Sequence, residues 1–481
     1  MKPDLTVPQR SSRLPSLLLI LAALFIFFFR LGGRGFENKD TIWYVEIAWE
    51  MLRSGDWIVP RFNTVIFTEK PILFIWAVAG LSRVAGVITP FFSRLPSALA
   101  ALGCTFLTVS LGKTLFNRRT GLLAGFILCT TYAFAWEART CMVDMLFTFF
   151  VTLSLCFLYR GFSAGGTRGQ PFILAYLAIG LAALTKGPLG IVFPALVSLV
   201  YLAVDRRLRL LRSMLIPWGI LIVIGMQAAW YIPYLARIGP EGRRFFYEMY
   251  VYKENLLRFT SGFDHYEPFW FYGPALLSNF LPWSPFLILC LFLPRVPGGS
   301  GAARDRRYPA VWFLSLLAFL TISSGKHSRY ALPLYPAAAL LVADLWDRVI
   351  DARKWRAAFI TIVTAFTIGW GCYLMILPAR DAKRDEHQRL AKELSPAVGG
   401  RPLATYGIFS RRLALGFFMG RPVIYIDREC ELLDYLRAEG RVLCLMEADA
   451  YEGSKGRLPQ SVKVVGRSRY RDMDLVLIAN R

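Results

Sequence analysis

Three carboxylates and five cations stand in this sequence at the edges of long apolar runs, where charge is costly. Asp40 lies near the start of a polar stretch, ENKDTIWYVEIAWEMLRSGDWIVPRFNTVIFTEKP (37–71), and Glu69 and Lys70 close it. Asp144 opens an apolar run in ARTCMVDMLFTFF, and Lys186 sits between two apolar runs in TKG. Arg258 lies in a polar segment at 236–268, and Lys326 and Arg329 in GKHSRY. A carboxylate at a membrane surface can accept a proton. Lysines and arginines at the same surface can hold a phosphate or pyrophosphate leaving group. Such a set suits chemistry on a charged lipid headgroup. Plainer readings stand beside it. Asp40 is also a helix cap for the segment from Ile42, Asp144 a helix N-terminus favoured by the macrodipole, and each cation a snorkelling anchor.

One further group invites a metal. The run YKENLLRFTSGFDHYEPFWFY (252–272) puts His265 close to Glu254, Asp264 and Glu267. A histidine with a carboxylate suits a divalent metal ion, a possible cofactor here. The aromatic belt after it is ordinary interfacial anchoring. No P-loop, GxGxxG, HExxH or GxSxG stands in a supporting context, which argues against ATP, nicotinamide and hydrolase chemistry built on those motifs.

The elements that must position these residues are membrane spans. Of the 481 residues 55% are hydrophobic and 15% aromatic, and the mean hydropathy is +0.44. A soluble chain of this length would be less apolar. Apolar runs of roughly 16 to 25 residues recur along the first four-fifths, the transmembrane signal. The formal net charge is +23. In a soluble protein that would suggest nucleic acid. Here the basic residues cluster in short loops at 113–119, 205–212, 295–307 and 348–356. They set topology and meet anionic membrane lipids, with no nucleic acid partner. Lys2, Arg10 and Arg13 precede a retained first span at 14–31 and place the N-terminus in the cytoplasm.

Further spans are expected at about 71–88, 95–112, 121–137, 142–160, 171–186, 188–205, 214–235, 269–293, 309–323, 330–347 and 355–377. The segments 32–70 and 236–268, the TKG turn, the 325–329 loop and everything after residue 377 then face outward. Counting from the two ends leaves a conflict of one crossing. It is resolved if the short run 71–88, interrupted by Arg83, does not cross, or if a span has been overlooked. The total is roughly 11 to 13 spans.

After Pro378 the pattern changes. A charged helical stretch (380–394) leads to strand-like runs at 403–406, 423–426, 442–445, 462–465 and 475–478, with helix-like runs at 411–419 and 430–438. This reads as a small soluble α/β domain over 378–481, attached to a transmembrane domain over 1–377. The eight cysteines form no CxxC pair and no zinc spacing. Cys430 and Cys444 fall in the soluble domain, where an oxidising compartment would permit a disulfide. The sequence leaves their pairing open.

At this point the motifs acquire a family. The chain resembles the integral-membrane glycosyltransferases that include bacterial 4-amino-4-deoxy-L-arabinose transferases of lipid A and the protein O-mannosyltransferases. The resemblance runs from the first span to about residue 347. It is carried by D-x-x-x-Y-x-E-I-x-x-E-M-L-x-S-G-D-W-I-V-P over Asp40–Pro60, then by E-K-P at Glu69–Pro71, Asp144, and T-K-G at Thr185–Gly187. It continues in E-x-x-x-R-F at Glu254–Phe259, H-x-x-P-F-W-x-Y at His265–Tyr272, L-P-W at Leu281–Trp283, and the 326–330 loop.

The resemblance implies a GT-C type helical bundle in the bacterial inner membrane. Its cavity faces the periplasm, and a soluble C-terminal domain lies on that side. It implies transfer of a sugar from a polyprenyl-phosphate donor to a lipid A-like lipid or another envelope glycan. Asp40 is then the catalytic carboxylate and Lys70 the phosphate contact, with Glu69 and Asp144 lining the cavity. Lys186, Arg258, Lys326 and Arg329 would join Lys70 around the donor phosphate. Two departures stand out. Thr41 and Trp43 replace a glutamate and an arginine usual at the first motif, and the aminoarabinose enzymes tend to carry further spans. Rival readings are a protein O-glycosyltransferase, a transporter or flippase of lipid-linked sugars, and a non-catalytic assembly protein. A flippase would favour internal repeats, and none is found.

Overall fold

The computed structural model describes residues 13–36, 39–167, 169–260, 266–292, 306–381, 386–408, 413–471 and 473–481. For Lys39, Asp40, Phe259, Leu291, Phe292 and 378–381 the description covers the backbone only. The chain forms a helical bundle followed by a five-stranded sheet.

The first helix, α1 (Leu14–Phe28), leads to α2 (Lys39–Ser54), a hairpin of β1 (Arg61–Phe62) and β2 (Val65–Ile66), and α3 (Leu73–Ala85). The bundle continues with α4 (Pro90–Leu115), α5 (Arg118–Cys129), α6 (Tyr132–Glu137), α7 (Val143–Ser163), α8 (Gln170–Lys186), α9 (Leu189–Val204) and α10 (Ile216–Arg237). Next come α11 (Gly239–Phe246), a π-helical stretch Tyr247–Leu257, and α12 (Arg258–Thr260). It closes with α13 (Tyr272–Asn279), α14 (Ser284–Phe292), α15 (Arg307–Ile322), α16 (Tyr335–Val349) and α17 (Arg353–Asp381). Among the described residues, α4, α7, α10 and the 353–377 part of α17 are long and apolar enough to cross a membrane by length and composition, with shorter apolar helices between them.

Two buried arginines fix which helix ends share a face. Arg94, in the first turns of α4, donates to the carbonyls of Leu31 and Arg34 at 2.9 and 3.0 Å and to that of Gly35 at 2.5 Å. Arg139, between α6 and α7, donates to those of Ile26, Phe27 and Phe29 at 3.1, 3.0 and 2.7 Å. The last carbonyls of a helix have no intrahelical donor, and in an apolar setting leaving them bare is costly. The end of α1 and the start of α4 therefore lie at one face. The α3 helix has 13 residues, so it is roughly 20 Å long against a hydrocarbon core of about 30 Å. Its Trp76 indole donates to the Trp57 carbonyl at 2.7 Å, and its Arg83 guanidinium lies 5.9 Å from the Trp57 ring. Both ends of α3 thus touch the same segment that precedes it. The run 71–88, expected as the one that does not cross, forms this short helix packed back on the segment before it.

Two expected spans are broken. The run 121–137 divides at Thr130 and Thr131, whose hydroxyls donate back to the carbonyls of Phe126 and Ile127 at 2.6 and 2.8 Å. The run 269–293 divides between α13 and α14. The breaks pack on each other: Tyr132 N–H donates to the Leu281 carbonyl at 2.9 Å, and the Trp283 indole to Thr130 Oγ1 at 2.9 Å. Backbone groups freed by one break are satisfied by the other.

The C-terminal part contains α18 (Glu386–Val398), β3 (Leu403–Tyr406), α19 (Gly416–Met419), β4 (Ile424–Ile426), α20 (Glu429–Leu436), β5 (Leu443–Glu447), α21 (Ala448–Ser454), β6 (Lys463–Tyr470) and β7 (Met473–Ala479). The sheet order is β4-β3-β5-β7-β6, parallel from β4 to β5 and antiparallel beyond. Leu403, Leu443, Leu445, Leu475 and Leu477 pack with Leu390 and Leu394 of α18. Their alternates Ala404, Cys444, Met446, Val476 and Ile478 pack with Leu432 and Leu436 of α20. The central strands are therefore covered on both faces, which explains their continuous apolar runs. Cys430 and Cys444 do not pair: both are free, Cys444 buried against the inner side of α20 and Cys430 exposed.

Candidate active site

The site forms where the polar segments meet at the face marked by Arg94 and Arg139. Lys186 ends α8 and Asp144 begins α7. These helices run antiparallel side by side, so the last residue of one meets the first turn of the other. The Lys186 ammonium and the Asp144 carboxylate form a buried ion pair. The same ammonium lies 4.3 Å from the centre of the Tyr330 ring, a cation–π contact. Tyr330 lies in the 3-10 turn Ser328–Leu334 that leads into α16, so three elements converge on one lysine. Glu137, at the end of α6, accepts from Thr140 Oγ1 at 3.1 Å and lies within electrostatic reach of Arg329, Asp144 and Lys186.

A second cluster lies beside the first. Lys70 pairs with Glu254 of the π-helical stretch, and Arg258 donates to the same carboxylate at 2.9 Å. Glu254 and Arg258 are four residues apart, so a helical backbone sets them side by side. π-Helical turns are rare and, where they occur, are frequent at functional sites. The clusters are joined through Gly187, whose φ is +75°. A Cβ there would stand 2.5 Å from the buried Tyr250 hydroxyl, so glycine lets the TKG turn close onto the π-helical stretch. Burial pushes the Tyr250 hydroxyl above its ordinary range, keeping it protonated.

The 325–329 loop is stitched to the same segment. Gly325 N–H donates to the Arg258 carbonyl at 3.0 Å, Ser324 Oγ to the Thr260 carbonyl at 2.8 Å, and Gly325 bridges Tyr266. Lys326 is 4% exposed and donates to the Glu267 carbonyl at 3.0 Å. Its ammonium holds two loops together. The Arg329 backbone N–H donates to Nδ1 of His327.

The structure thus brings together Lys70 with Arg258, and Asp144 with Lys186 and the Arg329 charge. Glu69 is buried immediately before Lys70. The Asp40 side chain and His265 lie outside the described residues. The backbone at Asp40 is in the first turn of α2, which begins at Lys39 rather than Ile42, so Asp40 is not its cap. Among the described residues no group of three or more His, Cys, Asp or Glu could hold a metal ion. Sequence reasoning did not single out Glu254 as the shared partner of two cations, nor Glu137 and Tyr330. The i,i+4 spacing of Glu254 and Arg258 was a usable signal. So was the position of Glu137 at the edge of an apolar run, which it shares with Asp144.

With the site defined, comparison with known proteins is informative. Residues 13–236 match the family model described as dolichyl-phosphate-mannose-protein mannosyltransferase. The chain is 32% identical over 375 residues to undecaprenyl phosphate-alpha-4-amino-4-deoxy-L-arabinose arabinosyl transferase 2 of Pseudomonas fluorescens, covering 75% of this chain and 61% of that protein. It is 33% identical over 347 residues to the corresponding transferase of Pseudomonas aeruginosa PAO1, covering 69% and 60%. The chain spans about three-fifths of the length of these curated relatives. Its fold is that of ArnT from Cupriavidus metallidurans, crystallised bound to undecaprenyl phosphate: TM-score 0.76, 21% identity, 98% of this chain and 99% of that one. A more distant likeness of fold is to the oligosaccharyltransferase AglB of Archaeoglobus fulgidus, with TM-score 0.53 and 12% identity over 90% of this chain and 69% of that one. Residues 13–236 are thus similar to the family described as dolichyl-phosphate-mannose-protein mannosyltransferase, and a longer stretch of the chain is similar to the aminoarabinose transferases.

Proposed function

We propose that the protein is a glycosyltransferase that moves a sugar from a polyprenyl-phosphate donor to a lipid A-like acceptor. The observation that carries this is the sharing of one carboxylate, that of Glu254, by Lys70 and Arg258. Two cations held on one anion at a membrane surface are preorganised for a second anion. A donor phosphate binds beside this pair of cations, and the growing charge on the leaving phosphate meets fixed positive charge in the transition state. The acceptor oxygen attacks C1 of the sugar, the C1–O bond to phosphate breaks, and the acceptor proton goes to a carboxylate. Asp40 fills that role, with Glu69 and Asp144 in the same cavity. The names of the curated relatives point to 4-amino-4-deoxy-L-arabinose as the sugar and undecaprenyl phosphate as the carrier. The site opens to the periplasm, and residues 378–481 form a separate domain on that side. The basic loop 348–356 followed by α17 supports this orientation.

The test is transfer in lipid nanodiscs. With undecaprenyl phosphate-aminoarabinose and lipid A, the reading expects a product heavier by one aminopentose residue. Absence of product with this donor and with other polyprenyl-phosphate sugars, or transfer from a nucleotide sugar, overturns it. Mass spectrometry of lipid A and envelope glycans from a strain lacking the protein identifies sugar and acceptor in the cell.

A further inference from the structure

Glu46 is a fully buried carboxylate on α2, the helix whose first turn carries Asp40, and the site just described does not use it. Its Oε2 accepts the backbone N–H of Phe417 at 2.9 Å, a residue 371 positions away on α19 of the C-terminal domain. Its Oε1 has no hydrogen-bond partner among the described residues. That oxygen lies against Gly416. A Cβ at Gly416 would collide with it and would stand 3.1 Å from the Arg421 carbonyl oxygen and 3.2 Å from the Trp49 ring. Only glycine leaves room for the carboxylate there.

The contact is part of a wider seam. Phe36, at the end of the segment that leads into α2, meets Phe417 and Phe418 edge-to-face at 5.5 and 6.3 Å between centroids. Ala414 is buried in the same apolar cluster as Ile42, Val45 and Ile47 of α2. Asn63 Nδ2 donates to the Leu413 carbonyl at 2.8 Å. Asn63 and Thr64 form the turn between β1 and β2 with φ of +48° and +66°, a conformation costly for a β-branched threonine. The Glu50 carboxylate, one turn beyond Glu46, accepts the Thr64 N–H at 3.1 Å. Segment 413–418 therefore grips both α2 and the hairpin that leads on to Glu69 and Lys70.

We propose that Glu46 is a positioning residue. Its bond to the Phe417 amide clamps the C-terminal domain onto α2 and so fixes where Asp40 stands relative to Lys70. Removing Glu46 leaves the buried Phe417 N–H without its acceptor, which is costly, and a misplacement of about 1 Å at a reacting group costs up to roughly a hundredfold in rate. The role rests on the transferase reading above, but the clamp itself is visible without substrate.

The experiment compares E46A, G416A and E46Q with wild type in full-length protein in nanodiscs. One arm is hydrogen exchange over 39–54 and 413–419 without substrate. The other is transfer kinetics with the undecaprenyl phosphate sugar. E46A and G416A are expected to raise exchange in both segments. They should lower kcat roughly ten- to a hundredfold while KM for the lipid donor stays put. E46Q, whose amide oxygen still accepts the Phe417 N–H, is expected to keep most of the wild-type kcat. G416A leaves Glu46 itself intact, so it covers the case in which E46A does not fold. Unchanged exchange over 39–54 in both disruptive variants overturns the clamp. Raised exchange with wild-type kcat overturns the positioning role. A wild type that transfers nothing sinks the transferase reading instead and leaves the exchange arm to decide the clamp.

Discussion

Ion pairs occupy both ends of the helical bundle, but of different kinds. At one end Arg119 meets Asp351 at 2.9 Å and Arg307 meets Asp205 at 2.7 Å, with arginine side chains 44% and 60% exposed. At the other, Lys186 pairs with Asp144 and Lys70 with Glu254, with lysine side chains 11% and 22% exposed. An exposed pair gains little, because water and salt screen it. Its value lies in placing basic loops on one side of the bundle. A buried pair is expensive to form and is weak evidence for stability. The basic-loop end also has a buried carboxylate, Asp344, but its partner Arg348 at 2.7 Å is 28% exposed; at the other end the lysines are more deeply buried. In the proposed function the Lys70–Glu254–Arg258 arrangement gives this charge a use, with the carboxylate holding two cations in place for a donor phosphate.

This contrast is sharpened most by Asp40. Asp40→Asn is expected to lower turnover by roughly a hundred- to ten-thousandfold, since an amide cannot take the acceptor proton. If the residue served only α2, the loss of a first-turn charge would cost about 0.3–1 kcal/mol of stability and leave turnover near normal. Turnover and thermal midpoint measured on one preparation separate the two. Lys70→Ala comes next. Losing a charged phosphate contact costs about 1.5–3 kcal/mol, and donor affinity measured by titration with undecaprenyl phosphate should weaken roughly ten- to a hundredfold. Unchanged affinity would remove Lys70 from the phosphate site.

A smaller effect is expected with pH. Burial, with Glu50 one turn away, raises the Glu46 carboxyl from 4.5 to about 8. Arg53 and Arg61 bear on Glu50, and the C-terminal domain presents the Phe417 amide to Glu46. A pKa raised on folding means that this group's contribution to docking is complete below about pH 4.5 and is lost as pH rises through about 8. Exchange over 413–419 should therefore increase between pH 7 and 9 in wild type and change less in Glu46→Gln. Equal pH dependence in the two proteins would assign the effect to another group. The smallest effect belongs to the opposite end of the bundle. Arg307→Ala should change stability by less than about 1 kcal/mol and leave kcat and donor affinity unaltered. A large loss of activity there would break the comparison between the two ends.

The sequence by itself determined most elements and their type. Apolar runs and basic loops marked the helices of the bundle, because a span must satisfy its backbone internally and basic loops stay on one side. Short apolar runs marked the strands of the C-terminal domain, β3 to the residue and β4 to within one. It also brought out Asp144, Lys70, Lys186 and Arg258, since charge at the edge of a span is costly and therefore conspicuous. Only the tertiary structure decided what those charges meet. That the start of α4 lies beside the segment after α1 follows from Arg94 reaching back some sixty residues to the carbonyls of Leu31, Arg34 and Gly35. That Lys70 and Arg258 share Glu254 follows from two segments 184 residues apart. That Glu46 holds Phe417 across 371 residues follows from how the C-terminal domain sits on α2. Periodicity and edge charge are local properties of a chain, and a sequence displays them. A pairing between distant segments depends on which buried group is left unsatisfied after packing, and that is fixed only once the whole bundle is assembled.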